Sequence, residues 1–125
     1  MKKKKVIKIP VNDKDFFKFF LKFTTPLHDL SPRERSFLSE ILYKYSVEKK
    51  NFKNEADLWK KVFDYDTKVE YCENLNVKMF SILNLMTALR KKNIIQDNTI
   101  NKNYMVDIEN LTNFYLTFNF EWTKN

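Results

Sequence analysis

The chain has 125 residues, enough for one domain with a modest core, and a formal charge of +7. It holds no Gly, one Cys and one His. That excludes a glycine-built phosphate loop, a dinucleotide fingerprint, an internal disulfide and a zinc site rich in soft ligands.

The charge is unevenly placed. Residues 1–22 hold eight Lys against two Asp, and residues 23–75 are nearly balanced. Residues 76–96 hold Lys78, Arg90, Lys91 and Lys92 with no carboxylate at all. Cationic charge focused on one segment suits a polyanion partner; the plainer alternative is a solvated helix end. The basic residues 2–5 are followed by no apolar run of the kind a secretory leader has, and no stretch nears the roughly twenty apolar residues of a membrane span. With the single Cys72, these features lead to the expectation of a cytoplasmic protein. Heavy use of Lys, Asn, Phe and Ile suggests an AT-rich genome, such as that of a phage or plasmid.

Residues 1–5 form a basic arm that can lie along phosphates or simply stay solvated. Val6, Ile7 and Ile9 suggest an edge strand stopped by Pro10. Asn12 or Asp13 can cap a helix over about 14–23, with Phe16, Phe19, Phe20 and Phe23 on one face. Phe17 and Leu21 add a second apolar stripe. Such a helix is either buried between other elements or offers Phe17 and Leu21 to a dimer or other protein partner. Residues 24–30 read as a connector broken by Pro26, with His28 at the surface.

Ser31-Pro32-Arg33-Glu34 is the clearest local signal: Ser caps, Pro takes the first helical position and Glu completes a capping box. The helix should run to about residue 47 with Phe37, Leu38, Ile41, Leu42 and Tyr45 inward. After a polar connector over 48–53, Asn54 can cap another helix with Leu58, Trp59, Val62 and Phe63 as its apolar face.

The organising stretch is 66–95. Asp66 is a candidate N-cap, and Val69, Cys72 and Leu75 form an inward stripe. Asn76 stands where Gly commonly bends the chain, because Asn tolerates the left-handed region. From Val77 a second helix turns Ile82, Leu85, Met86 and Leu89 inward. Arg90, Lys91 and Lys92 close its last turn, and Asn93 is a C-cap candidate. Residues 96–99 then form a turn. Tyr104, Val106 and Ile108 alternate with polar neighbours, and Phe114, Leu116, Phe118, Phe120 and Trp122 line one face of a longer strand. These make a hairpin whose loop, 109–112, is acidic.

Leu75-Asn76-Val77, then Met86 and Leu89, then Lys92-Asn93-Ile94-Ile95, resemble a winged helix-turn-helix over about thirty residues. The resemblance implies an α+β fold, mainly helical, with a C-terminal hairpin wing, in a single domain over 1–125. The Phe-rich first helix, the start at Leu30-Ser31-Pro32-Arg33-Glu34, and Ile100-Asn101-Lys102-Asn103-Tyr104 are also loosely similar to small winged-helix replication proteins of plasmids and phages. Those commonly carry Ile-Asn-Pro at the last place, and Lys102 replaces the Pro here. The likeness implies initiation or regulation on double-stranded DNA, without enzymatic activity; the residues themselves lead to no expectation of a cofactor or metal.

On the second helix of the pair the outward stripe should be Phe80, Leu83, Asn84, Thr87 and Lys91. Asn84 can pair with adenine, and Thr87 can meet a base or phosphate. Lys78, Arg90, Lys91 and Lys92 would hold phosphates. Phe80 and Leu83 are apolar where polar readers are expected. They either touch thymine methyls at AT-rich sites or are covered by another protein, as in an adaptor or small virion component. The carboxylates Asp64, Asp66, Glu70 and Glu73 can in principle hold a hard cation, but caps and solvated faces explain them as well.

Overall fold

The computed structural model describes residues 10–105. The basic arm, the expected strand over 6–9 and the hairpin strands from 106 onward lie outside them. The described chain is mainly helical, with one small antiparallel sheet. Its elements are α1 (Asp13–Phe23), α2 (Thr25–His28), α3 (Pro32–Glu48), α4 (Glu55–Val62), α5 (Tyr65–Leu75) and α6 (Met79–Lys91). The strands are β1 (Ile95–Gln96) and β2 (Thr99–Ile100).

The central element is α3, against which α1, α4, α5 and α6 all pack. Its start is as the sequence suggests. Ser31 accepts from the Glu34 N–H at 3.2 Å, and Glu34 Oε1 accepts from the Ser31 N–H at 2.8 Å. Pro32 fills a position whose N–H has no helical partner anyway. Phe37, Leu38, Ile41 and Leu42 are fully buried, and they meet Phe17 and Leu21 of α1, Leu58 and Val62 of α4 and Ile82 and Leu89 of α6 in one core. At roughly 1.5–3 kcal/mol for each such side chain, this burial is the main force holding the helices together.

Phe17 and Leu21 are 1% and 0% exposed, so the protein interface expected of them is corrected: they are core. The cause is rotational phase. Phe17 and Leu21, spaced i, i+4, face α3, which leaves Phe19 and Phe23 on the solvent side, stacked at 6.3 Å. Residues 24–30 also differ from a plain connector. The single helical turn α2 accepts Pro26 in its first turn. His28 is buried, not superficial: Leu30 N–H donates to its Nδ1 at 3.1 Å, and its Nε2 bonds the Leu21 carbonyl at 2.7 Å. With Nδ1 accepting, the proton of the neutral ring belongs on Nε2.

On α5 the N-cap is Asp64, not Asp66; Asp64 Oδ1 accepts from the Thr67 N–H at 2.7 Å. Burial works against the Asp64 charge, but that N–H and the nearby Lys61 outweigh it and hold the carboxyl below its ordinary value. The buried face of α5 is Thr67 and Tyr71, whereas Val69, Cys72 and Leu75 are only half buried. Tyr71 packs edge-on to Phe37 and donates to the Val62 carbonyl at 2.9 Å. Burial, with Glu40, Glu70 and Asp64 around it, pushes its phenol far above the ordinary value, so it stays a neutral donor.

Without Gly, the chain turns its corners on Asn and Asp. Every left-handed residue among those described is one of the two: Asp29, Asn76, Asn93, Asp97 and Asn98. Past α5, Asn76 N–H bonds the Glu73 carbonyl and Val77 N–H the Cys72 carbonyl; past α6, Asn93 N–H bonds Arg90 and Ile94 N–H bonds Leu89. Both ends are Schellman arrangements that satisfy carbonyls the helix leaves open. Asp97 and Asn98, with φ of 51° and 57°, form the two-residue turn of the β1–β2 hairpin.

Candidate nucleic-acid interface

α5, the corner at Asn76 and α6 bring the candidate residues together. α6 begins at Met79, two residues later than the sequence suggests, with Lys78 in the cap position. Ile82, Met86 and Leu89 are buried, which fixes the phase of the helix. Phe80, Leu83, Asn84, Thr87, Arg90 and Lys91 are accordingly exposed. Phe80, Asn84, Thr87 and Lys91 follow one another at i, i+4, i+7, i+11, a single row along the outer face. The row spans about 16 Å at 1.5 Å per residue.

The polar atoms on this face have few claims on them. Thr87 Oγ1 donates to the Leu83 carbonyl within its own helix at 3.1 Å, which leaves its lone pairs open. Arg90 reaches Asn98 Oδ1 only at 3.5 Å. α6 carries no carboxylate, so nothing on the helix neutralises Arg90 and Lys91. Lys78 gives α6 no side-chain cap, and its positive charge stands at the positive end of the helix dipole.

Lys92 differs from the other basic residues. Its ammonium bonds Glu34 Oε1 at 2.9 Å and the Asp29 carbonyl at 3.0 Å, tying the end of α6 to the start of α3. Within the fold Lys92 is therefore a tether as well as an exposed cation, unlike Arg90 and Lys91. Burial disfavours the Glu34 charge, but the Ser31 N–H, the Lys92 ammonium and the Ser31 hydroxyl together outweigh it. The carboxyl is held below its ordinary value. The sequence hid this pairing because the partners stand 58 residues apart and Glu34 already had a complete role in its capping box.

A hairpin does abut α6, but it is not the one the sequence suggests. β1 packs on α6 directly, Ile95 pairs with Ile100, and both point into the core. Gln96 and Thr99 pair on the outer side. The expected strand start at Tyr104 is instead the end of a 3-10 turn, Lys102–Tyr104. Asn101 closes the base of the hairpin: its N–H bonds the Ile94 carbonyl at 2.8 Å and its amide bonds the Asn93 carbonyl at 3.1 Å. Sequence reasoning missed Asn98 as a neighbour of Arg90, and it missed Tyr65, 70% exposed at the start of α5. A turn asparagine eight residues after a helix arginine carries no periodic signal.

The acidic residues of α5 do not converge. Asp64 caps, Glu70 pairs with Lys44 at 2.9 Å, and Asp66 and Glu73 face solvent. Burial works against the Lys44 charge, yet Glu70 and then Glu48 hold its ammonium above the ordinary value. Among the described residues no group of three or more His, Cys, Asp or Glu is placed to hold a metal, and no helix is long and apolar enough to cross a membrane. Comparison with protein-family models, with curated proteins and with solved structures gives no match, so the role of α6 has to be argued from its own side chains.

Proposed function

We propose that this is a non-enzymatic, winged-helix DNA-binding protein that regulates transcription or initiates replication for a phage or plasmid. In this reading α5 and α6 are the helix-turn-helix pair, and the β1–β2 hairpin is the start of the wing. The partner is double-stranded, AT-rich DNA. The observation that carries the reading is the outer face of α6: Asn84, Thr87, Arg90 and Lys91 are exposed beside Lys78 on a helix without a carboxylate. Asn84 reads a base edge, Thr87 meets a base or phosphate, and Lys78, Arg90 and Lys91 neutralise phosphates. The uncapped start of α6 supports this, since free N–H groups and a cation together favour an anion.

The test is fluorescence anisotropy on an AT-rich duplex across a salt series. Lys78, Arg90 and Lys91 together contribute about −3 to the log–log slope. The K78E/R90E/K91E variant abolishes binding, while Lys92→Ala leaves the slope in place. Absence of binding by the wild-type protein at low salt overturns the proposal.

A second reading, a structural or adaptor protein on the same scaffold, has its own support. Phe80 and Leu83 are 62% and 47% exposed, with Tyr65 also outward. Exposed apolar groups often mark a protein interface, and a homodimer through them is detectable by sedimentation at several concentrations.

A further inference from the structure

We propose that Phe80 and Leu83 are the specificity-determining residues of the interface, and that they recognise the C5-methyl groups of thymine in the major groove. This rests on α6 being the DNA-facing helix. Both side chains lie in the N-terminal half of α6 and are largely exposed. That half is the part of a recognition helix that meets base edges. Phe80 shares its row with Asn84 and Thr87, and Leu83 lies one turn before Thr87.

From Phe80 to Thr87 the helix rises about 10 Å, close to three base pairs at 3.4 Å each. An A·T pair offers an amide-matching edge on adenine and an apolar methyl on thymine. A face that presents Phe80 and Leu83, then Asn84 and Thr87, with no carboxylate matches consecutive A·T pairs. A cytosine, whose edge is an amino donor, meets no acceptor carboxylate on α6.

The surroundings argue against a second copy as the occupant. The apolar pair is flanked by Lys78 on one side and by Arg90 and Lys91 on the other, with no anion on the helix. Two copies of α6 meeting across a twofold axis would bring like charges together, whereas interface cores are depleted of charge.

The experiment uses base analogues with the wild-type full chain. Three 24-base-pair duplexes are compared at one salt concentration: alternating dA–dT, the same with uracil replacing thymine, and alternating dG–dC. Uracil keeps every hydrogen-bonding group of thymine and lacks only the methyl. We expect uracil to weaken binding by roughly four-fold for each methyl read, as burial of one CH2-sized group implies, and thus by about fifteen-fold with one methyl read by each of the two residues. F80A/L83A should lose that discrimination yet still bind dA–dT duplex with unchanged salt slope. Both residues are exposed, and the thermal melt of the variant checks its fold. Equal binding of thymine and uracil duplexes by the wild type overturns the inference but leaves DNA binding standing. So does discrimination that survives in F80A/L83A, because duplex shape would then be its source. Binding to none of the three duplexes at low salt overturns both this inference and the reading beneath it. A wild-type dimer that F80A/L83A dissolves also overturns the inference, because the pair then covers a second copy.

Discussion

α3 and α6 start in opposite ways. α3 opens on Ser31 and Pro32, with a reciprocal capping box, and Glu34 also receives Lys92. α6 opens on Lys78, with no side-chain cap, a cation at the positive end of its dipole and Phe80 in water. α3 is surrounded by the chain's own elements, so local rules and packing agree there. Among the described residues α6 is packed on one side only. Where a local rule is broken without compensation inside the fold, the compensation has to come from outside, and that is the physical reason for looking for a ligand on α6.

The sharpest way to break the contrast is at Glu34. Glu34→Ala removes the capping-box carboxylate, leaving the Ser31 N–H to water and Lys92 with the Asp29 carbonyl and water. Chemical denaturation should show a loss of about 1–2 kcal/mol. Binding to an AT-rich duplex should persist under conditions where the variant stays folded. A loss of under half a kcal/mol would mean that water replaces Glu34 at no cost.

Acid probes the same carboxylate by charge alone. Folding holds Glu34 below its ordinary value of 4.5, so the folded state binds its proton less readily than the unfolded chain. The stabilisation is complete above that value and is lost as pH falls through the lower, folded one. Asp64, held below 3.8, acts in the same direction a little lower. Thermal melts from pH 6 to pH 3 should therefore show the wild type losing stability towards the acid end. Glu34→Gln should start less stable and fall less steeply. Parallel curves for the two proteins would remove Glu34 from the account.

At the other helix the expected effects have opposite signs. Lys78→Ser supplies the missing cap and removes the misplaced charge. Stability should rise by about 1 kcal/mol. Duplex affinity should fall, and the salt slope should shrink by about one ion. A variant both more stable and equally good at binding would show that Lys78 has no part in the interface.

How much of this was legible in the sequence depended on the range of the signal. The capping box at Ser31 and Glu34 and the corners at Asn76 and Asn93 are local chemistry, and they stand where the residues suggest. The outward row of α6 was legible because Ile82, Met86 and Leu89 define the opposite side. Tyr71 escaped because a periodic count favours aliphatic residues, whereas here a phenol reaches a carbonyl nine residues back and goes inside. The roles of Phe17 and Leu21 were settled by which side of α1 meets α3, and that contact is tertiary. The β1–β2 hairpin was missed because strands of two residues, Ile95–Gln96 and Thr99–Ile100, are too short to show an alternation; the hairpin expected further along lies, beyond Tyr104 and Met105, outside the described residues.

The smallest effect concerns the corners shared by both halves of the contrast. Asn93 sits at φ 59° between the last turn of α6 and β1, and it sets the direction in which the hairpin leaves the helix. Asn93→Gly keeps the left-handed region accessible and should change stability by only a few tenths of a kcal/mol. Asn93→Ala places a Cβ in that region without the local hydrogen bonding of Asn, at a cost of about 1 kcal/mol. The same pair of changes at Asn76, φ 54°, should behave alike in denaturation. In binding they should part. Asn76 sets the angle between α5 and α6 within the proposed reading unit, while Asn93 steers only the hairpin. If the hairpin touches DNA, Asn93→Ala weakens binding beyond its effect on stability; if it serves only to cover the core with Ile95 and Ile100, Asn76→Ala alone does so.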